Sequence, residues 1–532
     1  MIALATLVLL LALLACFVAL TLAVSAWWVI AVALVVALLL VGIVDVTQRR
    51  HSVLRIYPVI GHMRFLLESI RPEIQQYFVE RDPDGRPFDR NVRTVIYERS
   101  KGTHGVQAFG TELDVGEVGY ESLLHSMAPA PQLDVPPRVR IGGPDCKKPY
   151  DMALLNVSGM SFGALGANAV RALNWGARMG GFAQDTGEGG ISKYHLEHGG
   201  DLVWEIGTGY FGARTTDGDF DPVRFSEEAA RDQVKMVELK LSQGAKPGIG
   251  GVLPAEKVSP EIAAARGVPL GVTCVSPPGH SVFATPRELV LFVARMRELA
   301  GGKPAGFKLC VGSRAQVLAV AKAMVAEGVT PDFIVVDGAE GGTGAAPLEF
   351  EDNVGTPLTE GLITLHNVLV GCGLRDRVRI GASGKVATGS DIVKRLCQGA
   401  DYTNAARPMM MAIGCIQAQR CHTNRCPTGV TTQDPWRQRA LVVDLKAVRC
   451  KQYQEGTVAQ AMELVAAMGL PGPEALGPEH LMRRIDHVTV RSYADLFEWL
   501  EPNQLLDEPP RSWAADWAAA DPDTFTTPGG IA

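Results

Sequence analysis

The sequence has no surplus of positive charge: over 532 residues the formal net charge is -6. A basic face of the kind that follows a nucleic-acid backbone is therefore not expected, and no nucleic-acid partner is assigned. No run of like charges and no low-complexity tract stands out, so the composition is that of a globular protein carrying an added apolar segment. Cysteine is too sparse and too scattered for a disulfide scaffold, with ten residues of which only Cys415, Cys421 and Cys426 cluster. That places the soluble part in a reducing compartment. No Gly-x-Gly-x-x-Gly fingerprint opens a βαβ unit, which argues against a dinucleotide-binding doubly wound sheet.

Charge is missing altogether from Ile2 to Val44. One membrane span needs only about 20 apolar residues, so this run predicts two helices, near 3–24 and 28–45, turning at Ser25, Ala26, Trp27 and Trp28. Asp45 ends the second span, and Arg49, Arg50, His51 and Arg55 follow, which puts the remainder on the cytoplasmic side of a multi-pass anchor. A single signal anchor is the other reading of the same hydropathy. No second apolar run of that length follows.

What is present in quantity is glycine, 57 residues, gathered into short clusters between residues 158 and 390. Strand candidates at 153–158, 181–185, 235–241, 270–275, 306–311, 333–337, 378–383 and 400–404 alternate with helical stretches such as 286–300 and 315–327. Eight such units predict a (β/α)8 barrel, with an open doubly wound sheet as the alternative. The expected organisation is two transmembrane helices at 1–45, a helical and irregular lead-in at 46–145, the barrel at 146–440 and a helical extension at 441–532. In such a barrel the chemistry sits on loops after the strands, and the glycine clusters fall there. They include Ser158-Gly159-Met160-Ser161, Gly341-Gly342-Thr343-Gly344-Ala345 and Gly381-Ala382-Ser383-Gly384-Lys385. Bare backbone amides in glycine loops can cradle phosphate oxygens. The barrel's usual phosphate site lies after the seventh and eighth strands, here at 381–385 and 404–407, making Asn404 and Arg407 candidates.

The run Cys415-x5-Cys421-x4-Cys426-Pro427 can wrap an iron–sulfur cluster. Zinc would need a fourth ligand, for which His422 is the nearby donor, and three buried structural cysteines are the remaining alternative.

Together these motifs resemble the FMN domain of glutamate synthase. Ser158 to Leu165, Thr186-Gly187-Glu188-Gly189-Gly190, Gln243-Gly244-Ala245-Lys246-Pro247-Gly248, Ser276-Pro277-Pro278, Gly341 to Ala345 and the cysteine run occur in the family's order, over about residues 100–450. The resemblance implies FMN in the barrel mouth and a [3Fe–4S] cluster on Cys415, Cys421 and Cys426. It also implies reductive amination of 2-oxoglutarate to L-glutamate. Lys308 resembles the family's lysine facing the flavin, where a cation stabilises the anionic reduced ring. A lysine between Phe307 and Leu309 on a buried strand has no obvious route to solvent, though a surface lysine is the alternative. Lys246 is a candidate for a substrate carboxylate and Glu188 for the loop, flavin or substrate. Ser158, Met160, Ser161, Gly342, Thr343, Gly344, Ser383 and Gly384 complete the candidate cofactor contacts.

The sequence also departs from the family. A membrane hairpin stands where an amidotransferase domain is expected, so ammonia or an amine is expected to arrive free or from a partner. The family's Lys-Pro-Gly-Glu-Gly-Gly reads Lys246-Pro247-Gly248-Ile249-Gly250-Gly251, which loses an acid at the rim. No nicotinamide-binding domain is visible, so the expected electron donor is a ferredoxin, another subunit or a membrane component. A membrane-tethered electron-transfer subunit, or an FMN barrel enzyme acting on another amine or a 2-oxo or 2-hydroxy acid, are the competing functions.

Overall fold

The computed structural model of the protein describes residues 2–103 and 108–526. They fall into two compact units, Met1–Pro87 and Phe88–Ala532. In the first, helices Ile2–Ala23 and Val29–Thr47 are joined by a tight turn at Ala26–Trp28. Both are long and apolar enough to cross a membrane. The Ser25 hydroxyl accepts the Trp27 N–H, and Phe17 stacks on Trp28 at 5.5 Å, which fixes the reversal. Asp45 does not end the second helix, which runs on to Thr47. Its buried carboxylate instead accepts the Val59 N–H at 2.8 Å and meets His62 at 2.9 Å, holding the following segment to the helix.

The second unit is built on eight parallel strands closed into a barrel in chain order. They are β1 (Leu155–Val157), β2 (Gln184–Asp185), β3 (Leu202–Ile206), β4 (Val234–Lys240), β5 (Ala305–Leu309), β6 (Phe333–Asp337), β7 (Arg379–Ser383) and β8 (Tyr402–Ala405). Pairing of Thr403 with Leu155 and Asn404 with Asn156 closes the ring.

Because side chains alternate across a strand, each strand feeds two environments. Leu155, Val157, Trp204, Ile206, Val237, Leu239, Ile334, Val336, Ile380 and Ala382 point outward into the large core shared with the helices. Ala183, Val203, Met236, Phe333, Val335 and Tyr402 point inward and fill the lower lumen. The antiparallel pair Val139–Ile141 and Tyr150–Met152 adds Ile141 and Met152 to that inner cluster, closing it from below. The same inward parity higher up brings Ser158, Asp185, Glu205, Glu238, Lys240, Lys308, Asp337, Ser383 and Asn404 to the mouth. The floor is therefore apolar and the mouth charged.

Two features of this unit differ from the sequence reading. Segment 270–275 is not a barrel strand: Leu270, Val272 and Val275 are exposed, and Cys274–Val275 only pairs with Val252–Leu253 in a small hairpin. The strand in its place is β3, whose apolar run is interrupted by Glu205. The barrel's last helix is Val443–Ala467, which packs against Ala167–Gly180 and Gly389–Cys397 on either side. The helical layer thus continues past residue 440, because a long cysteine-bearing connection separates β8 from its helix.

Trp204 is fully buried and stacks on Phe225 of helix Pro222–Ala229 at 5.1 Å, tying β3 to the outer layer. Trp204→Ala is expected to cost about 3–5 kcal/mol through the cavity it leaves. A lowered thermal unfolding midpoint measures it.

Candidate functional site

Six strand ends converge on a cavity at the mouth, contributing Ser158, Lys240, Lys308, Asp337, Ser383 and Asn404. Of the other predicted cofactor contacts, Gly342, Gly384 and Arg407 line the same cavity. Met160 packs against the core, and the Ser161 hydroxyl accepts from Arg266 at 3.4 Å. Thr343 and Gly344 belong to the loop after β6, where Thr343 and Lys246 both donate to the Ala345 carbonyl, at 3.2 and 2.9 Å. Met160, Ser161, Thr343, Gly344, Lys246 and Glu188 thus stand around the cavity rather than in its wall.

Lys308 is buried, which removes the surface alternative. It bonds the Glu205 carboxylate and lies 3.4 Å from Glu238 and 3.8 Å from Asp185. These carboxylates come from β3, β4 and β2, with oxygens all within 4.8 Å of one another. Lys240 adds a second cation, 3.6 Å from Glu205 and 3.3 Å from Glu188. Burial, and then the charges of Asp185 and Asp337, push the Glu238 carboxyl well above its ordinary value. Burial also raises the Asp185 carboxyl, so both of these acids beside Lys308 hold a proton more tightly than a free carboxyl does. Burial raises Glu188 as well, but Lys240, Arg266 and Lys246 outweigh it and hold that carboxyl below its usual range. Burial pulls Lys246 down.

The approach to this layer is possible only for glycine at position 159. A β-carbon there would stand 2.7 Å from a Glu205 oxygen and 3.0 Å from both Asp185 and the Lys308 nitrogen. Across the mouth, Gly384 has φ of 149°, outside the range that other residues favour. The Asn404 side-chain oxygen is buried without a hydrogen-bond partner while its residue lines the cavity. Arg407 is no surface arginine: it donates to the Glu340 carbonyl at 2.6 Å and its guanidinium lies 5.1 Å from the Phe88 ring centre.

After β8 the chain reaches the cysteines through left-handed backbone at Gly414, Gln417, Gln419 and Asn424. The Cys415 sulfur accepts the Gln417 N–H at 3.4 Å, and Thr428 lies 3.5 Å from the Cys426 sulfur. Burial pushes Cys415 up to about 12 and raises Cys421. For Cys426, burial is outweighed by hydrogen bonds from Thr428 and Thr431, which bring the thiol down to about 7. His422, the fourth donor that zinc would need, is exposed. Among the described residues the tight trio of metal-capable side chains is Asp185, Glu205 and Glu238, not the cysteines. A single zinc ion needs its thiolates closer together than a cluster does.

One set of contacts was not foreseen from sequence. Lys257 is buried, and its ammonium donates to the Ala164 carbonyl at 2.7 Å and the Cys421 carbonyl at 3.3 Å. Gln433 donates to the carbonyls of Gly163 and Leu165, at 3.0 and 2.8 Å. The loop after β1, the connection after β4 and the cysteine loop are thus bolted into one assembly. Lys257 gave no local signal, since an isolated Glu-Lys pair in a loop reads as solvated surface. Glu205 and Glu238 did carry one, an acid interrupting an otherwise apolar strand, but register was needed to see that they converge.

The fold and its charged mouth define a (β/α)8-barrel enzyme. Residues 144–471 match the conserved region in glutamate synthase, and the chain belongs to the glutamate synthase family of oxidoreductases. It is 38% identical to the glutamate synthase large subunit-like protein YerD of Bacillus subtilis (strain 168), covering 83% of this chain and 91% of that one. It is 34% identical to the archaeal glutamate synthase [NADPH] of Archaeoglobus fulgidus, covering 60% of this chain and 59% of that protein. The corresponding enzyme of Methanocaldococcus jannaschii is 30% identical, over 74% of this chain and 70% of its own length.

The raised affinity of Glu238 for a proton has a consequence for stability. The folded protein binds it more tightly than the unfolded chain, so its contribution is whole below the ordinary value of 4.5 and drains away as pH rises toward the raised folded value. Glu238→Gln keeps a neutral group of similar shape. Its thermal midpoint should fall less than that of the wild type as pH rises above 4.5. Equal slopes would mean that Glu238 is ionised in the native state.

Proposed function

We propose that this protein is an FMN- and [3Fe–4S]-dependent enzyme of the glutamate synthase type, catalysing reductive amination of 2-oxoglutarate to L-glutamate. What supports this most is the bolted assembly. The mouth loops and the three cysteines are joined through Lys257 and Gln433, which keeps two cofactor positions in fixed relation.

The residues fit the two groups. Asn404 offers an unpartnered buried oxygen, Ser158, Gly159, Gly342, Ser383 and Gly384 offer a bare wall, and Arg407 brings a cation, as an FMN in the mouth would require. Met160, Ser161, Thr343 and Gly344 are the adjoining loop contacts in this reading. Cys415, Cys421 and Cys426, with hydroxyl and amide donors on their sulfurs, suit a three-thiolate cluster. Bound FMN would supply hydride transfer, and the cluster single-electron transfer.

The chain's own groups do the rest. Lys308 fixes a positive charge at the mouth, and its carboxylate partners hold the ammonium in place. Lys246 and Glu188, on facing loops, bind and orient the carboxylates and the nitrogen of the substrate. Glu238, whose carboxyl is raised by burial, lies beneath the site. Electrons would come from a ferredoxin or another subunit, and nitrogen from ammonia or an amine. The two apolar helices would anchor the barrel on the cytoplasmic side of a membrane.

The test is reoxidation of the reduced protein. Purified anaerobically, it should carry flavin bands and the low-temperature EPR signal of an oxidised [3Fe–4S] centre. Addition of 2-oxoglutarate with ammonia should then restore the oxidised flavin spectrum. Reoxidation only with another amine would move the substrate, and protein lacking both flavin and iron would end the proposal. Cys421→Ser should lose the EPR signal while keeping the flavin bands.

Lys257 supplies a second measurement. A buried cation beside the cysteines favours the added electron, so Lys257→Met should lower the midpoint potential of the EPR-active centre, and Lys257→Arg should restore it.

A further inference from the structure

An amphipathic helix ordinarily turns its apolar stripe toward the rest of its protein. Helix His62–Ile74 does the opposite. Met63, Leu66, Leu67, Ile70 and Ile74 recur at the spacing of one helical face, and they are 61%, 61%, 55%, 41% and 39% exposed. The inward contact is made from another face by Phe65, whose ring packs edge-on against His51 at 5.4 Å. The turn that follows, Gln75–Val79, continues the pattern, with Tyr77, Phe78 and Val79 50%, 84% and 59% exposed. A contiguous apolar stripe of this kind in water is unfavourable by about 25 cal/mol for each Å² left uncovered.

The position of the helix says what covers it. His62, its first residue, is held at 2.9 Å by Asp45, near the end of the second apolar helix. The amphipathic helix therefore starts where that helix leaves the apolar region. Arg49, Arg50 and Arg55 stand on the connection between them, and Arg64 and Arg71 lie beside the stripe on the polar face, Arg64 paired with Glu68 at 2.9 Å. Apolar residues on one face, cations at its border and an origin at the end of a membrane-length helix are the features of a helix lying in a lipid headgroup layer.

We infer that His62–Ile74, with Tyr77 and Phe78 beyond it, lies flat in the anionic phospholipid interface of the membrane that the apolar hairpin crosses. The inference rests on the membrane reading of that hairpin. The stripe would bury its apolar side chains among the acyl chains just below the headgroups, while the arginines meet lipid phosphates. This second attachment would fix the direction in which the chain leaves the membrane, something that a hairpin alone leaves free.

The full-length protein in phosphatidylcholine–phosphatidylglycerol vesicles provides the test. A photoreactive benzophenone amino acid is placed in turn at Leu34 in the hairpin, at Leu67 on the stripe and at Arg64 on the polar face. After illumination, lipid adducts are read by mass spectrometry. The expected result is lipid adduct at Leu67 comparable to that at Leu34 and several-fold above that at Arg64. Adduct at Leu34 with none at Leu67, or a protein crosslink at Leu67, overturns the interfacial helix while leaving the hairpin in the membrane. Equal adduct at Leu67 and Arg64 overturns the flat orientation. No adduct at Leu34 removes the membrane reading and the inference with it.

Discussion

An ammonium group inside a barrel survives only if the strands around it supply its counter-charge. At Lys308 they do: β2, β3 and β4 each place one carboxylate within 4 Å of the nitrogen or in direct contact with it. Losing one partner of such a pair leaves a buried charge uncompensated, at a cost of about 3–5 kcal/mol. The order of the strands, their register and the parity of Asp185, Glu205, Glu238 and Lys308 are therefore tied to one another. A shift of one residue in any of these strands would turn its charge into the apolar layer beneath the helices. The excess of acid over base is offset by Lys240 and by the raised carboxyls of Asp185 and Glu238. The floor of Phe333, Val335 and Tyr402 below and the glycine at position 159 above leave the layer accessible from the mouth alone.

The loops depend on this layer in turn. Gly159 passes directly over it, so the loop after β1 has its height set by the carboxylates. Ala164, farther along the same loop, accepts from Lys257, and Lys257 also holds the cysteine loop through the Cys421 carbonyl. Arg266 of the same connection donates to Ser161 and to the Phe162 carbonyl. Two buried cations thus clamp a glycine-rich loop that has little rigidity of its own. Elements far apart in sequence become one site because each buried charge must find a partner, and here the partners are three backbone carbonyls and the Ser161 hydroxyl.

Much of the barrel was legible from local pattern. Runs such as Phe333-Ile334-Val335-Val336, bounded by glycine or proline, identify buried parallel strands with no knowledge of their neighbours. β3 escaped because Glu205 breaks its apolar run, and the exposed 270–275 segment imitated it with the same residue types. The last helix was placed beyond the barrel because sequence distance does not measure distance in space. Lys308 was legible because a charge within a buried strand is conspicuous. Its partners were not, since a lone acid in a strand looks like an exposed edge until register shows that several converge. Lys257 belongs to a third kind, a side chain whose role is to hold backbone groups and which leaves no motif.

The same distinction bears on the acid missing from the rim. Ile249 stands in the stretch Lys246-Pro247-Gly248-Ile249-Gly250-Gly251 where the resemblance calls for glutamate, and sequence alone reads that as a carboxylate lost. In the fold, Gly251 and Gly207 both lie against the side chain of Glu188, from two different connections. Lys240 pairs with that carboxylate at 3.3 Å and holds it ionised despite its burial. The rim therefore keeps an anionic group next to the altered loop, supplied from the loop after β2. A β-carbon at either glycine would collide with Glu188, so the glycines and the acid constrain one another. The substitution at 249 removes one acid from the rim but leaves Glu188, so the neighbourhood of Lys246 is not left uncharged.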